Sequence, residues 1–290
     1  HNSRFLNVTG NAINALGKST IIADACDYQT LAFPAIYLHP EVVAEITNSR
    51  FNGGISIINA ERVIFTVIGC EFIGLTDINA IHISQDSEVT LQDCIFRDIN
   101  NAPVISLMDS KLTVSGSQFL SIHSNAINAL GRSLIIANDC EWQTKGYPAI
   151  ALHQDVVAEI MNSRFLGESS TIYAHHATFT VSGCTFSDIT ENPPINLFQH
   201  SEAKVINCTF NAIVNFYIFY ANDNSVIQIS NCQYDDTTSL AKSDLYSRIE
   251  FLGGIELESS MYATETGGQV LSVDSDILQP LQLLDSDATI

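Results

Sequence analysis

Seven cysteines occupy one position of a repeating unit, and a thiol can form a disulfide, bind a metal or pack as a small apolar side chain. Each Cys stands two residues before an aromatic, and Ser takes this place in the other units. An odd count with even spacing does not resemble a disulfide framework, and no Cys-x-x-Cys pair of zinc-site spacing occurs. We therefore predict a ladder of small buried side chains, formed by Cys26, Cys70, Cys94, Cys140, Cys184, Cys208 and Cys232.

A second group that could do chemistry consists of His153, His176 and the nearby Asp155. His153 lies 11 residues after one of the repeated aromatics, and His176 lies 11 residues after the next. Because the two counts are equal, we expect the two histidines at the same position of neighbouring units, where they could bind a transition metal or act as an acid–base pair. A solvated polar column is the alternative. It is favoured by Arg62, which stands in an earlier copy of this segment where His176 stands in the later one.

The charge balance is strongly acidic, with 12 Lys and Arg against 32 Asp and Glu and a net charge of −20. Nucleic acids and anionic membranes bind basic surfaces, so we expect neither as a partner. No run approaches the roughly 18 apolar residues of a membrane span. We expect no cofactor, although Ca²⁺ could bind the acidic surface. Two Asn-x-Ser/Thr sequons, at Asn7 and Asn207, are candidates for N-glycosylation in a secreted protein.

The cysteines belong to a repeat of about 23 residues in which an aromatic recurs eleven times, at intervals of 21 to 24 residues. A period in this range indicates a solenoid. We predict that the aromatic of each unit packs against the next one inside the stack. The series is Phe5, Tyr28, Phe51, Phe72, Phe96, Phe119, Trp142, Phe165, Phe186, Phe210 and Tyr234.

The residues around each aromatic predict its backbone. Asn, Asp or Gly stands three residues before ten of the eleven aromatics, with Ala25 as the exception, and these residue types tolerate the left-handed conformation of a sharp bend. Apolar residues such as Phe65 and Val67 alternate as in a strand. A second apolar pair, such as Ala80-Ile81, follows further on, so each unit has three short strands. Because such strands cannot bury their own faces, the units must stack into a parallel β-helix of about eleven coils.

A larger duplication overlies the short repeat. Residues 11–51 match residues 125–165 at an offset of 114, with 28 identities in 41 positions. We predict a β-helix over 1–234, divided into copies at 1–114 and 115–234. The acidic segment 235–290 lacks the Cys-x-aromatic unit, and we expect it to supply capping strands or a linker to further domains.

The coil length, inward aromatics, Asn-type bends and stacked small residues resemble the pectate-lyase-like, right-handed parallel β-helix superfamily over about residues 1–234. The resemblance implies an all-β, right-handed parallel β-helix. The superfamily includes polysaccharide lyases, glycoside hydrolases, phage tailspikes, adhesins and surface proteins without enzyme activity, so it does not fix a function. Only Asp235-Asp236 matches a polygalacturonase motif, and Glu250 stands where the Lys of its Arg-Ile-Lys motif is expected.

Uniform coils, a block duplication and the lack of a recognisable catalytic set favour a non-enzymatic, extracellular or cell-surface protein. We predict a structural or adhesive β-helix that binds protein partners, other copies of itself or glycans, with no catalytic residues assigned. The alternative is a carbohydrate-active enzyme, either a polysaccharide lyase or a glycoside hydrolase, or a carbohydrate-binding module. Because the first residue falls inside a repeat, we expect a fragment or a processed product.

Overall fold

Each coil of the chain contributes three β-strands, one to each of three parallel sheets. The computed structural model describes residues 1–31, 33–53, 57–214, 217–235, 239–253 and 257–273. Neighbouring strands of a sheet come from successive coils and pair in parallel. The predicted all-β parallel β-helix is confirmed, with eleven three-strand coils followed by two further strands.

The sheets are numbered in the order in which the chain enters them. The first sheet contains β1 (Arg4–Val8), β4 (Asp27–Thr30), β7 (Arg50–Asn52), β10 (Glu71–Ile73), β13 (Ile95–Arg97), β16 (Gln118–Ile122), β19 (Glu141–Thr144), β22 (Arg164–Leu166), β25 (Thr185–Ser187), β28 (Thr209–Asn211) and β31 (Gln233–Tyr234). The second contains β2 (Ile13–Ala15), β5 (Ile36–Leu38), β8 (Ile58–Glu61), β11 (Ile81–Ser84), β14 (Ile105–Met108), β17 (Ile127–Leu130), β20 (Ile150–His153), β23 (Ile172–His175), β26 (Ile195–Phe198), β29 (Phe219–Ala221), β32 (Ala241–Ser243) and β34 (Tyr262–Thr264). The third contains β3 (Thr20–Asp24), β6 (Val43–Thr47), β9 (Ile64–Ile68), β12 (Glu88–Gln92), β15 (Lys111–Ser115), β18 (Leu134–Asn138), β21 (Val157–Met161), β24 (Thr178–Ser182), β27 (Glu202–Ile206), β30 (Val226–Ser230), β33 (Arg248–Leu252) and β35 (Gln269–Val273).

The chain turns sharply where it enters each strand of the first sheet. All eleven residues at the Asn/Asp/Gly position have a left-handed φ between 50° and 62°. Ala25 adopts φ 52° like the others, although its side chain disfavours this region. The bend therefore depends on the stacking of the coils, and the residue type only lowers its energetic cost.

The core is a continuous stack of aromatic rings and aliphatic side chains. The eleven aromatics lie over one another with successive ring centroids 4.4–5.9 Å apart and planes within 19° of parallel. Offset stacking of this kind contributes about 0.5–1.5 kcal/mol per pair beyond burial. The nine rings from Tyr28 to Phe210 are completely buried.

The Cys/Ser position completes a hydrogen-bond ladder at the bend. The N–H of Asp93 donates to the next coil, and the N–H of Ile95 donates to the previous one. The direction thus reverses at Cys94, whose N–H finds no backbone acceptor and donates to the Oγ of Ser117 at 3.1 Å. Ser117 Oγ in turn donates to the carbonyl oxygen of Ser115 at 3.0 Å. This position therefore requires a small side chain that both accepts and donates a hydrogen bond, and both Ser and Cys can do so.

A serine ladder serves the corner between the second and third sheets in the same way. The N–H groups of Val63 and Ser87 donate to the Oγ atoms of Ser87 and Ser110, each at 3.2 Å. The run resumes later, where Ala177 N–H donates to Ser201 Oγ and Ser201 N–H donates to Ser225 Oγ. At two of the three corners of the β-helix, side-chain hydroxyls or thiols thus accept the N–H groups that have no backbone acceptor.

The β-helix extends beyond the predicted boundary at residue 234. The described part of 235–290 forms β32 to β35, which continue the second and third sheets in register. The described part of the segment therefore forms strands, and the division of the chain at residue 234 stays a prediction. Residues 274–290 of that segment lie outside the described residues.

Candidate functional site

The outer face of the second sheet carries aromatic and histidine side chains on the seventh to tenth coils. Strand alternation places them there: Tyr173 is half-buried, whereas its neighbours Ile172 and Ala174 are fully buried. Two register columns supply the side chains, one running through Tyr173, Asn196 and Tyr220 and the other through His153, His175 and Phe198. We call the five rings of His153, Tyr173, His175, Phe198 and Tyr220 the ring strip.

The ring strip is continuous from coil to coil. The ring centroids of Tyr173 and Phe198 are 5.2 Å apart, and those of Phe198 and Tyr220 are 5.5 Å apart. His153 lies 5.9 Å from Tyr173 and 6.2 Å from His175. With about 4.8 Å between strands, the four coils give a strip roughly 14 Å long. Its shape suits an extended ligand that runs along the axis of the helix.

Asn196 interrupts the row of rings with a polar group. It stands between Tyr173 and Tyr220 in the column and is only 9 % exposed. Its Oδ1 has no hydrogen-bond partner among the described residues. A buried acceptor without a donor costs about 1–3 kcal/mol. A ligand hydroxyl would satisfy this oxygen only if the rings beside it moved apart, because the oxygen itself is buried.

Burial favours the uncharged forms of three rings of the strip, those of His153, Tyr173 and Tyr220. Burial, assisted by the neighbouring His175, lowers the pKa of His153 below its ordinary value of 6.5. Burial also raises the pKa values of the Tyr173 and Tyr220 phenols above 10.0. In a chain with a net charge of −20, these groups form a weakly charged, ring-rich area.

A polar cluster fixes the ring strip at its C-terminal end. The Tyr220 hydroxyl donates to Asp244 Oδ2 at 3.0 Å and accepts from Asn222 Nδ2 at 2.9 Å. Lys242 Nζ lies 3.4 Å from the same Asp244 oxygen and 3.1 Å from Glu265 Oε1. The pKa of Lys242 is raised, chiefly by the hydrogen bond to Glu265. These contacts hold the Tyr220 ring in a fixed orientation.

The prediction that His153 and His176 stack on neighbouring coils is wrong. His153 pairs in register with His175, because the eighth coil is shorter and loses one residue before β23. His176 lies at the following turn with φ 56°, and its Nδ1 is 3.3 Å from Asp155 Oδ1. The structure thus brings His176 and Asp155 together and places His153 in the ring strip. Within the described ranges, no group of three or more His, Cys, Asp or Glu is arranged to hold a metal ion.

The seven cysteines stand in one column as free thiols. Six are buried, and Cys232 is half-buried beside a surface pocket that Tyr234 and Phe251 also line. Burial raises the pKa of the Cys94 and Cys140 thiols to about 11. A protonated thiol donates to the carbonyl two residues earlier, as Cys94 does to Gln92.

The remaining predicted sites lie on the surface. Asn7 and Asn207 are both exposed, and their glycosylation stays a prediction, as does Ca²⁺ binding to the acidic surface. Glu250 forms an ion pair with Arg248 at 3.0 Å and accepts a hydrogen bond from Gln228 at 3.0 Å. Asp236, the second residue of the Asp-Asp motif, lies outside the described residues.

Counting residues forward from each core aromatic does not locate the ring strip. Coils of 21 and 24 residues differ from the 23-residue period by two and by one residue, and a shift of one residue moves a side chain to the opposite face of a strand. The local signal was present in Ile172-Tyr173-Ala174-His175 and Ile195-Asn196-Leu197-Phe198, where small or aliphatic residues alternate with rings and an amide.

The stacked coils define a parallel β-helix, and sequence comparison defines its family. The chain matches the family described as "Right handed beta helix region" over residues 1–133 and 102–264. It therefore belongs to this right-handed β-helix family. No curated protein is a significant match.

Among solved structures, the chain is similar to a trypsin-treated variant of QnrB1, a plasmid-mediated fluoroquinolone resistance protein. The two share 13% identity over 81% of this chain and 92% of that one, with a TM-score of 0.22. A similarity this low supports no inference about function. Among the described residues, no helix has the length and apolar character needed to cross a membrane.

Proposed function

We propose that this chain is a non-enzymatic, adhesive β-helix of an extracellular or cell-surface protein, and that it binds a glycan along the ring strip. The observation that carries the proposal is the unbroken contact of rings from His153 to Tyr220 across four coils. The rigid stack holds these rings at a fixed spacing, so a ligand meets a surface that is already organised.

A neutral polysaccharide is the ligand class that the strip fits best. The apolar faces of sugar rings pack on aromatic side chains, while their hydroxyls need nearby donors and acceptors. Tyr173, Tyr220 and Asn196 provide both kinds of group within the same column. A polyanionic sugar would meet the field of a chain with net charge −20, which opposes its approach.

The architecture favours adhesion over turnover. The strip lies on a regular sheet whose strands follow one another in register, so it offers a long, shallow contact. A long strip of similar contacts suits retention of a polymer, because many weak contacts add up along it.

The test is affinity electrophoresis of the whole chain through gels that contain different neutral polysaccharides, with an acidic polysaccharide for comparison. We expect retardation by at least one neutral polymer. The substitutions Tyr173→Ala and Phe198→Ala should each weaken binding about tenfold, since each removes a stacking contact. Tyr147→Ala is the matched control, because this tyrosine is 53% exposed and lies in a loop outside the strip.

Retardation that survives both strip substitutions would contradict the proposed site. Absence of retardation by every neutral polymer, together with binding to the acidic one, would contradict the ligand class. The same polymers are then incubated with the protein and assayed for new reducing ends and unsaturated products. Their release would contradict the non-enzymatic part of the proposal and favour the carbohydrate-active enzyme.

A further inference from the structure

The outer face of the third sheet carries a second unusual surface, distinct from the ring strip. Ile22, Val43 and Ile64 are 61%, 50% and 57% exposed, and they lie close together on β3, β6 and β9. β-Branched side chains at this exposure on a regular sheet have apolar surface left to bury. In the second sequence copy, Ile136 and Val157 occupy the positions of Ile22 and Val43 at the offset of 114.

The first position of these strands forms one register column, and its members on the first eight coils follow a symmetric order. Its members, from the first coil to the eighth, are Thr20, Val43, Ile64, Glu88, Lys111, Leu134, Val157 and Thr178. The first four are exposed, Lys111, Leu134 and Val157 are partly exposed, and Thr178 is 8% exposed. The column continues through Glu202, Val226, Arg248 and Gln269 on the later strands. The order is symmetric about the point between Glu88 and Lys111. Reading outward from that point, each side gives a charge, a branched or aliphatic residue, a valine and a threonine.

We propose that two copies of this chain pair face to face through the third sheet, related by a two-fold axis that lies parallel to the strands at the level between Glu88 and Lys111. Such an axis reverses the order of the coils and sets the column against itself, as a self-complementary interface requires. Val43 then faces Val157 of the second copy, Ile64 faces Leu134, and Glu88 faces Lys111. Apolar groups meet apolar groups, and opposite charges meet at the centre.

Charge complementarity at the centre adds to the apolar contact. Lys111 Nζ lies 2.6 Å from Glu88 Oε1 within one chain, and both side chains are about half exposed. In the pair, the two-fold axis brings a second Glu88–Lys111 pair against the first with signs opposed. The four charges would form a closed, alternating network, which is stronger than an isolated surface pair.

The area is enough for a weak, reversible dimer. Eight strands at about 4.8 Å by five residues at about 3.3 Å give roughly 600 Å² per copy, and so about 1,200 Å² in total. Specific interfaces begin at about this size. We therefore expect association at micromolar or higher concentrations of the chain.

The neighbouring outward column gives the pairing a distinctive signature. Glu45 and Glu159 are the third residues of β6 and β21, and both are exposed. In the proposed pair, Glu45 faces Glu159 of the second copy, and these like charges oppose association. Neutralising either carboxylate should therefore strengthen the dimer, whereas a change on a free surface would leave the oligomeric state unaltered.

The test is sedimentation equilibrium of the whole chain, from low-micromolar to sub-millimolar concentrations. The wild-type chain should show a monomer–dimer equilibrium. Val43→Asp and Val157→Asp should each raise the dissociation constant about tenfold or more. Leu6→Asp is the matched control, since Leu6 is 49% exposed on the first sheet and should leave the equilibrium unchanged. Glu45→Gln should lower the dissociation constant.

A charge swap keeps the test decisive if an Asp variant folds poorly. Lys111→Glu should weaken the dimer, and Glu88→Lys combined with Lys111→Glu should restore it, because the double change rebuilds the alternating network in reverse. A chain that stays monomeric throughout the range contradicts the proposal. So does a dimer that tolerates both Asp substitutions, or one that the double swap does not restore.

Discussion

Ser117 Oγ accepts the backbone N–H of Cys94 at 3.1 Å across one coil, where no backbone acceptor is available. The same contact joins Cys26 to Ser49 and Cys140 to Ser163. The Cys/Ser column is therefore a hydrogen-bonding element of the bend as well as a packed interior surface.

Replacing Ser117 by Ala should destabilise the fold by about 1–3 kcal/mol, because the buried N–H of Cys94 loses its acceptor. Replacing Ser117 by Cys should cost much less, since Sγ accepts N–H groups elsewhere in the column, as Cys70 does from Ser49. The measurement is urea unfolding followed by the fluorescence of Trp142, which is the single Trp and is fully buried. Equal losses for the two variants would show that the acceptor role is unimportant.

The aromatic column should dominate the stability of the stack. Phe96 is fully buried between Phe72 and Phe119, with ring centroids at 4.8 and 4.7 Å. Phe96→Ala should lower the free energy of unfolding by about 3–5 kcal/mol through lost burial and the cavity left behind. Phe96→Leu should lower it by less, because Leu fills more of the space. A loss below about 1 kcal/mol for Phe96→Ala, measured by urea unfolding, would contradict the packed column.

Ala25→Gly should stabilise the protein by about 1 kcal/mol, because a residue with a Cβ is strained at φ 52° and Gly is not. Ala23→Gly is the comparison, since Ala23 lies within β3, where Gly weakens a strand. The melting temperature should therefore rise for Ala25→Gly and fall for Ala23→Gly. A decrease for both would mean that the bend at Ala25 carries no relievable strain.

The cysteines should resist modification in the folded protein. The Cys94 thiol is fully buried and has its pKa raised to about 11 by burial, so little thiolate exists near pH 8. A hydrogen bond to Cys208 and burial raise the pKa of Cys232 too, but this thiol is half-buried at a surface pocket. Because a reagent can reach it, Cys232 should be the first to react with an aromatic disulfide reagent. Mass spectrometry of the labelled chain identifies the site. Labelling of Cys94 at the rate of Cys232 without denaturant would contradict the burial of the column.

Glycan binding should weaken as the pH falls through the lowered pKa of His153. Above that pKa the imidazole is neutral, and below it a charge enters the ring strip. His153→Gln should remove most of this dependence. His82→Gln is the control, since burial lowers the pKa of His82 too but this residue lies on the fourth coil. Affinity electrophoresis at several pH values measures the effect. Loss of the pH dependence in His82→Gln, with the dependence kept in His153→Gln, would contradict the site.

The sequence predicted the stack because its determinants repeat. Each aromatic, each Cys or Ser and each bend residue recurs at the same position, so the same pattern predicts the structure of all eleven coils. Ala25 adopts the left-handed φ of the other bend residues. The regular register of β32 to β35 could not be predicted, because this segment lacks the Cys-x-aromatic unit and keeps only the apolar alternation of residues such as Ile249 and Phe251.

The surfaces were harder to predict because they depend on register to within one residue. The loss of one residue before β23 brings His175, and not His176, beside His153. The serine ladder had a sequence signal, since Ser87, Ser110 and Ser133 recur at intervals of 23. Its role as a set of hydrogen-bond acceptors follows from the reversal of hydrogen-bond direction at that corner, which the sequence does not indicate.

The central claim is that the outer face of the second sheet holds a neutral glycan. The most direct measurement is a crystal structure of the chain with an oligosaccharide cut from the polymer that retards it most strongly. The account predicts sugar rings packed on Tyr173, Phe198 and Tyr220, with a hydroxyl directed at Asn196. An oligosaccharide bound on the first or third sheet, with the ring strip left bare, would contradict it.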